Sequence, residues 1–357
     1  MSAQELITQP EVVAPEVVVE ASALSKSYGS IKALDEVSFQ VKTGEIFGFI
    51  GADGAGKTTA FRIIGGVLAP GGGEVRVLGT TPREARPGVG YLTQPFSLYM
   101  DLSVDENLGY GGGLREVPEA DYAARRERYF KLFDMMRFTD RLAGRLSGGM
   151  KQKLALTTAL IAGPKLLLLD EPTTGVDPVT RRDFWDALTS LAGGGMTIIV
   201  ATPYLDEAER CHRVALMERG KIYDIDSPAN FRSKMGVTRL EVKITDLAKA
   251  EGVLAASPEA EDVQRFGDRL DVMAPRPDTA EADLRQRAEA AGLKITEIVR
   301  SQPTLENAFV GQLRKMRGSN PTPWGTSCAK ALRPTTNRGK CGSKTFPALA
   351  SRSSPAT

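Results

Sequence analysis

An α/β fold followed by a smaller α+β domain is what this 357-residue sequence predicts, and three observations carry the reading. A glycine-rich loop, Gly51 to Gly56, joins a strand-like run to helix-forming sequence. Two further runs, Leu166 to Leu169 and Thr197 to Ala201, are short and unbrokenly apolar, as strands buried on both faces are. After Ser227-Pro228 the texture changes to short, alternating strand and helix patterns.

Taken in order, residues 1–20 hold four Glu, two Pro and no Lys or Arg, and read as a flexible acidic lead-in that runs into a first strand near Val17 to Leu24. Strands Val37 to Val41 and Glu45 to Ile50 follow, parted by the turn signal Lys42-Thr43-Gly44, and a helix is expected from Lys57 to Val67. Residues 97–162 lack strand alternation and carry helical patterns at Glu119 to Met136 and Gly148 to Ala162, so a helical insert interrupts the α/β domain of residues 21–235. Residues 236–316 read as strand Leu240 to Ile244, helix Asp246 to Ala256, a hairpin Val263 to Met273 around Gly267-Asp268, helix Thr279 to Ala291 and strand Lys294 to Val299. Residues 317–357 are expected to be a disordered basic tail: from Gly318 onward, 21 of 40 positions are Ser, Thr, Pro or Gly, without an apolar period.

Composition narrows the function classes. The net charge of +2 conceals an asymmetry, since nine Lys or Arg and no Asp or Glu follow Glu306, which leaves a body of 37 basic and 44 acidic residues. Specific nucleic-acid binding is therefore not expected. No apolar run reaches the roughly 18 to 20 residues that a spanning helix needs, and three Cys without paired spacing suggest neither a disulfide framework nor a zinc site. A cytoplasmic chain, at most associated with a membrane, is the expectation.

Three motifs carry chemistry. Gly51-Ala52-Asp53-Gly54-Ala55-Gly56-Lys57-Thr58 has the spacing of a phosphate loop: glycines let backbone N–H groups wrap phosphates, the Lys reaches β/γ oxygens and the Thr hydroxyl holds Mg²⁺. Read blandly, it would be a glycine turn with an incidental Lys, but its place between strand and helix meets the motif's own structural requirement. Leu166 to Leu169 ends in Asp170-Glu171, placing one carboxylate for Mg²⁺ and one to polarise an attacking water; alone, such a pair would more often be a solvated strand end. Leu146-Ser147-Gly148-Gly149-Met150 opens a helix at which Ser147 acts as N-cap and the following N–H groups can meet an anion, although Ser-Gly starts many ordinary helices.

With these motifs in this order, the sequence resembles the ATP-binding-cassette (ABC) ATPases over about residues 21–230. The resemblance implies a RecA-like core with an antiparallel β subdomain and a helical subdomain, and two cassettes packed head to tail with each ATP between one phosphate loop and the other's signature. It maps Tyr28 onto the adenine-stacking aromatic, Gly51 to Thr59 onto the ATP-binding loop, and Gln94 onto the Gln that senses Mg²⁺ and the membrane partner. It maps Ser147, Gly148 and Gly149 onto the signature, Asp170 and Glu171 onto the metal and catalytic carboxylates, and Asp177 onto the loop crossing the dimer interface. Catalysis would then fall to Glu171, Gln94 and Lys57, and Mg²⁺ to Thr58, Gln94 and Asp170. The phrases around Gly51 to Gly56 and Thr202 to Ala208 look like the N-terminal cassette of the fused two-cassette ATPase of bacterial ABC-2-type multidrug exporters, implying permease subunits of ABC-2 type as partners at the inner face of the membrane. Thr304 to Phe309 resembles the helix that closes such subunits.

Two departures stand out. Met150 ends the signature where Gln is commoner, and Pro203 stands where the family has a His that contacts the γ-phosphate. Proline offers neither a side-chain donor nor an N–H. His212 is nine residues on, roughly 13 Å along a helix, and reads as packing rather than as a substitute. The expectation is an exporter ATPase that is slow at its own site, the alternative being an impaired regulatory half that needs an intact partner cassette. An ABC protein acting on ribosomes or DNA is disfavoured, because residues before 306 hold no long basic or coiled-coil insert. Two readings of the tail stay open, a natural extension that touches anionic lipid or a partner, and out-of-frame or truncated sequence replacing a second cassette; its abrupt change of composition favours the latter.

Overall fold

The computed structural model describes residues 16–94 and 97–317. The lead-in up to residue 15, Pro95, and the tail from residue 318, on which several of the expectations above fall, lie outside the described residues. Among the described residues a long hairpin comes first, β1 (Val17–Tyr28) and β2 (Ile31–Lys42); residues 17–20, counted both at the end of the lead-in and at the start of the first strand, are strand. Then come β3 (Ile46–Ile50), α1 (Lys57–Ile64), β4 (Gly72–Val77), the single turn α2 (Pro82–Ala85) and β5 (Val89–Leu92). The helical insert consists of α3 (Val104–Leu114), α4 (Glu119–Leu132) and α5 (Gly148–Leu160). The chain returns to the sheet through β6 (Leu166–Asp170), α6 (Pro178–Gly193), β7 (Thr197–Thr202), the short α7 (Leu205–Ala208), β8 (Arg213–Glu218) and β9 (Lys221–Asp226).

Five strands of the central sheet run parallel and β9 closes it antiparallel, in the order β5-β6-β7-β3-β8-β9. Every residue of β3, β6 and β7 is buried, which is why these strands read as unbroken apolar runs. A second, antiparallel sheet, β2-β1-β4, shares their core. Phe39 of β2 meets Phe49 of β3 edge-on with ring centroids 5.0 Å apart, and Phe49 meets Phe61 of α1 at 5.9 Å. Contacts of this geometry contribute about 0.5–1.5 kcal/mol each beyond the area they bury, so one aromatic chain fixes both sheets and α1 to one another.

Element ends differ from the expected ones for local reasons. α1 stops at Ile64, before Gly65 and Gly66, and α4 stops at Leu132 because Asp134 adopts the left-handed conformation (φ +54°). The glycine-rich α3 gives little helical signal in sequence; a capping box between Ser103 and Glu106 starts it, and packing on α5 keeps it.

The C-terminal part follows α8 (Pro228–Lys234): β10 (Thr238–Ile244), α9 (Leu247–Ala255), β11 (Asp262–Phe266), β12 (Arg269–Ala274), α10 (Pro277–Ala290), β13 (Ile295–Ser301) and α11 (Leu305–Arg317). Its antiparallel sheet, β11-β12-β10-β13, buries one face under α9 and α10 in an apolar core of its own. The other face carries a buried polar set in which Asn307 of α11 donates to Gln264 at 3.0 Å and to Asp271 at 3.3 Å. Glu209, just after α7, accepts from the first amide of α11 at 3.2 Å and pairs with Arg232 of α8.

Candidate functional site

The carboxyl ends of β3, β5, β6 and β7 converge on one edge of the parallel sheet, the edge where α/β folds bind ligands. Gly51 to Gly56 leaves β3 there. A Cβ on Gly51 would stand 2.2 Å from the Met217 carbonyl, and Gly56 adopts φ +107° with Ala33's carbonyl 2.3 Å from where its Cβ would be. Neither position admits a larger residue, so the loop is clamped between β8 and the β1–β2 hairpin. α1 then begins at Lys57 with no side-chain cap and no acidic residue in its first turn. Its first N–H groups are thus left for an external anion.

Lys57 is 4 % exposed, and its ammonium donates to the carbonyls of Gly51 at 2.7 Å and Ala52 at 3.1 Å. Thr58 donates its hydroxyl to Asp170 Oδ1 at 3.2 Å, which joins the loop to the end of β6 across 112 residues of chain. Burial holds the Asp170 carboxyl above the usual carboxylate range, opposed by the Thr58 hydrogen bond and the charges of Lys57 and Arg62. Glu171 follows in the left-handed region (φ +50°), its amide bonded to the Ala201 carbonyl of β7 at 2.9 Å. Gln94, beyond β5, donates to Glu171 Oε2 at 3.0 Å, and Thr174 donates to the same oxygen at 3.3 Å.

The loop, both carboxylates and Gln94 therefore meet through these two contacts. Asp53, Gly54 and Thr59 fall in or just after this loop, with Asp53 and Gly54 exposed. Tyr28 ends β1, with its side chain 46 % exposed. Ser147, Gly148 and Gly149 form a second group with Asp177. Ser147 caps α5 by accepting from the Met150 amide, and Asp177 caps α6 by accepting from the amides of Val179 and Thr180; the Thr180 hydroxyl first, and then these amides, lower the Asp177 carboxyl pKa. A Cβ on Gly149 would come within 2.4 Å of Thr180 Cγ2, so the two helix starts touch.

His212 sits at the far end of the sheet. Its Nδ1 accepts from the Ile46 amide at 2.9 Å, at the opposite end of β3 from the loop, in keeping with a packing role. Two neighbours of the site, Tyr91 and Thr173, carried no sequence signal of their own, and Thr202 and Glu207 stood only as parts of the Thr202 to Ala208 phrase. Tyr91 on β5 lies beside Asp170, and burial together with that carboxylate pushes its hydroxyl above the ordinary range. Thr173 and Thr202 both donate to the buried Glu207; Thr202 is only five residues away, whereas Thr173, 34 residues away, is brought there by the pairing of β6 with β7.

Among the described residues no group of three or more His, Cys, Asp or Glu could hold a metal. The Thr58–Asp170 pair offers two oxygens, which suits a hard divalent cation that keeps waters or phosphate oxygens as its remaining ligands.

The family model described as ABC transporter matches residues 34–174. The "Probable multidrug ABC transporter ATP-binding protein YbhF" of Escherichia coli (strain K12) is 40 % identical over 223 residues, 61 % of this chain and 39 % of the relative; the chain thus spans about two fifths of that protein's length. The daunorubicin resistance ATP-binding protein DrrA2 of Streptomyces coeruleorubidus is 32 % identical over 301 residues, 82 % of this chain and 94 % of the relative. Among solved structures, the dimeric post-hydrolysis state of the ATP-binding cassette MJ0796 bound to ADP and Pi superposes with a TM-score of 0.54 at 26 % identity, covering 58 % of this chain and 98 % of that one.

Proposed function

Because the chain belongs to the ATP-binding proteins of ABC transporters, we propose that it is the ATP-hydrolysing subunit of a multidrug-type exporter, acting as one of a pair of cassettes beneath separate membrane subunits. The observation that carries this reading is the direct joining of phosphate loop, metal carboxylate, catalytic carboxylate and Gln94 through the Thr58–Asp170 and Gln94–Glu171 hydrogen bonds. In it, the loop amides and the start of α1 bind the phosphates, and Lys57 exchanges the Gly51 and Ala52 carbonyls for β/γ oxygens. Thr58, Asp170 and Gln94 would hold Mg²⁺, whose charge neutralises that developing on the phosphates. Glu171, held by Gln94 and Thr174, accepts a hydrogen bond from the attacking water and takes its proton. Ser147 and the N–H groups of Gly148 and Gly149 face the partner's nucleotide, and Tyr28 stacks on adenine.

The membrane side of the reading rests on a cleft of about 280 Å³ between the end of β5, α3 and α5. Its wall includes Tyr99 and Tyr110, rings 4.7 Å apart and both about half exposed, with Leu114 70 % exposed beside them. An apolar surface of this kind on the Gln94 side is suited to a permease helix of ABC-2 type, which would keep the chain at the inner face of the membrane. Among the described residues no helix is long and apolar enough to cross one. Tyr110→Asp should release the chain from vesicles that carry its permease while leaving soluble ATP hydrolysis in place.

Steady-state phosphate release by the purified chain, compared with Glu171→Gln, tests the enzymatic reading: release should fall roughly 100-fold or more in the variant. Equal release from both would sink it. The second reading, slow turnover, is supported by Pro203, which puts no donor where the family has its His. Turnover should rise in Pro203→His, and an unchanged rate would count against it.

A further inference from the structure

Glu207 is 1 % exposed, and the reaction above gives it no task. Its two carboxylate oxygens are shared between two loops of the site. Thr173, two residues beyond Glu171, donates to Oε1, and Thr202, at the end of β7, donates to Oε2 at 2.6 Å. Thr202 in turn accepts from the Tyr204 amide at 3.0 Å, so the same carboxylate fixes the backbone on both sides of Pro203. Arg181 of α6 approaches Oε1 at 3.6 Å and lies over the Tyr204 ring at 4.7 Å, tying in the helix that Asp177 starts.

Stability alone does not explain a carboxylate here. Burial pushes the Glu207 carboxyl above its ordinary range, with the two threonines and Arg181 opposing, and buried ionic groups are often replaceable by apolar ones at no net loss. What a carboxylate supplies and an apolar side chain does not is a pair of acceptors for two hydroxyls on separate segments. The segment it holds is also the one that needs holding. Glu171 stands in the left-handed region, a conformation that persists when its surroundings over-determine it. The Glu171 amide to Ala201 is one fastening between the two loops, and Glu207 supplies the other.

We infer that Glu207 is a positioning residue for ATP hydrolysis, fastening the loop after Glu171 to the segment after β7 so that the catalytic carboxylate and residues 202–204 keep one fixed relation. The inference rests on the hydrolytic reading above and adds a residue to it. The side chains that hold the Glu207 carboxylate, Thr173, Thr202 and Arg181, all lie outside the phosphate loop, so its effect belongs on the chemical step and not on ATP binding. Glu207→Gln keeps the volume but offers one acceptor oxygen and one donor NH2 group, so one threonine hydroxyl can no longer donate as it does to the carboxylate.

The experiment measures phosphate release, with kcat and KM separated, and equilibrium binding of a fluorescent trinitrophenyl-ATP, for the full chain and for Glu207→Gln, Thr173→Val, Thr202→Val and the corresponding Ser variants. Expected is a kcat lower by roughly ten- to a hundredfold in Glu207→Gln and in both Val variants, with nucleotide affinity unchanged. Both Ser variants should keep the parent kcat, and Glu207→Gln combined with Thr173→Val should be no slower than the slower single variant. If Glu207→Gln does not fold, the Val and Ser variants carry the decision. Parent-like kcat in Glu207→Gln or in both Val variants overturns the inference, and so does a loss that appears equally in nucleotide affinity. Release from the parent chain no faster than from Glu171→Gln is a different result: it overturns the hydrolytic reading, and the positioning role with it.

Discussion

Asp170 shows how one residue can serve a site at the expense of the fold. Its carboxyl is buried at the end of an all-leucine strand, and burial raises its pKa above the ordinary Asp range. A carboxyl raised in this way stabilises the native state only while protonated; the contribution is present below the unfolded-state pKa and is lost as pH rises through the folded one. Asp170→Asn should therefore melt higher than the parent at pH 8 in the absence of nucleotide, the gap closing toward acid pH, while losing the extra stabilisation that the proposed binding of Mg²⁺ with ATP would confer. Calorimetry at two pH values checks this, and a variant that melts lower at pH 8 would contradict it. The carboxylate and its loop partner were legible in sequence because each obeys a local rule, a strand end and a spaced glycine loop. Glu207, Thr173 and Tyr91 were not, because nothing within a few residues of any of them records which strand lies alongside.

The elements divide in the same way. β3, β6 and β7 announced themselves as apolar runs because both their faces are covered, whereas β4 buries only Val77 and β5 is four residues long, so neither carries a period to read. α6 was legible in principle, with Asp177 before Pro178 and Phe184, Leu188 and Leu191 on one face. What no single element records is how closely α5 and α6 start. Gly149 is there because a Cβ would come within 2.4 Å of the Thr180 methyl, and Thr180 is β-branched and stiff. Gly149→Ala should lose about 1–3 kcal/mol in a denaturant titration, as overpacked sites do. Thr180→Ser removes the offending methyl and keeps the hydroxyl beside Asp177, so the double variant should recover most of that loss. Simple additivity of the two changes would show that the helix starts do not press on each other.

Over the whole molecule, the site residues fall into two groups, each held together by its own contacts among the described residues. Lys57, Thr58, Asp170, Glu171 and Gln94 are joined to each other, and Ser147 to Gly149 are joined to the start of α6 instead. In the twofold pair of cassettes proposed above, each site would take its phosphate loop from one copy and its signature from the other, and the symmetry would build both sites alike. That arrangement makes a prediction that no one-chain site shares. Lys57→Ala removes the loop's cation and Ser147→Arg blocks the signature, so either variant alone should be inactive with both of its sites spoiled. In a mixed pair both lesions fall on the same site, and the other site has an intact loop facing an intact signature. Equal mixing yields half mixed pairs, each with one of two sites restored, so phosphate release should return to about a quarter of the parent value if the sites act independently. Titrating one variant into the other at fixed total protein should trace a maximum at equal amounts. A flat line at background would mean either that each chain works alone or that both sites must be intact at once, and adding parent chain to Ser147→Arg separates the two, since activity proportional to the parent alone belongs to a chain that works by itself.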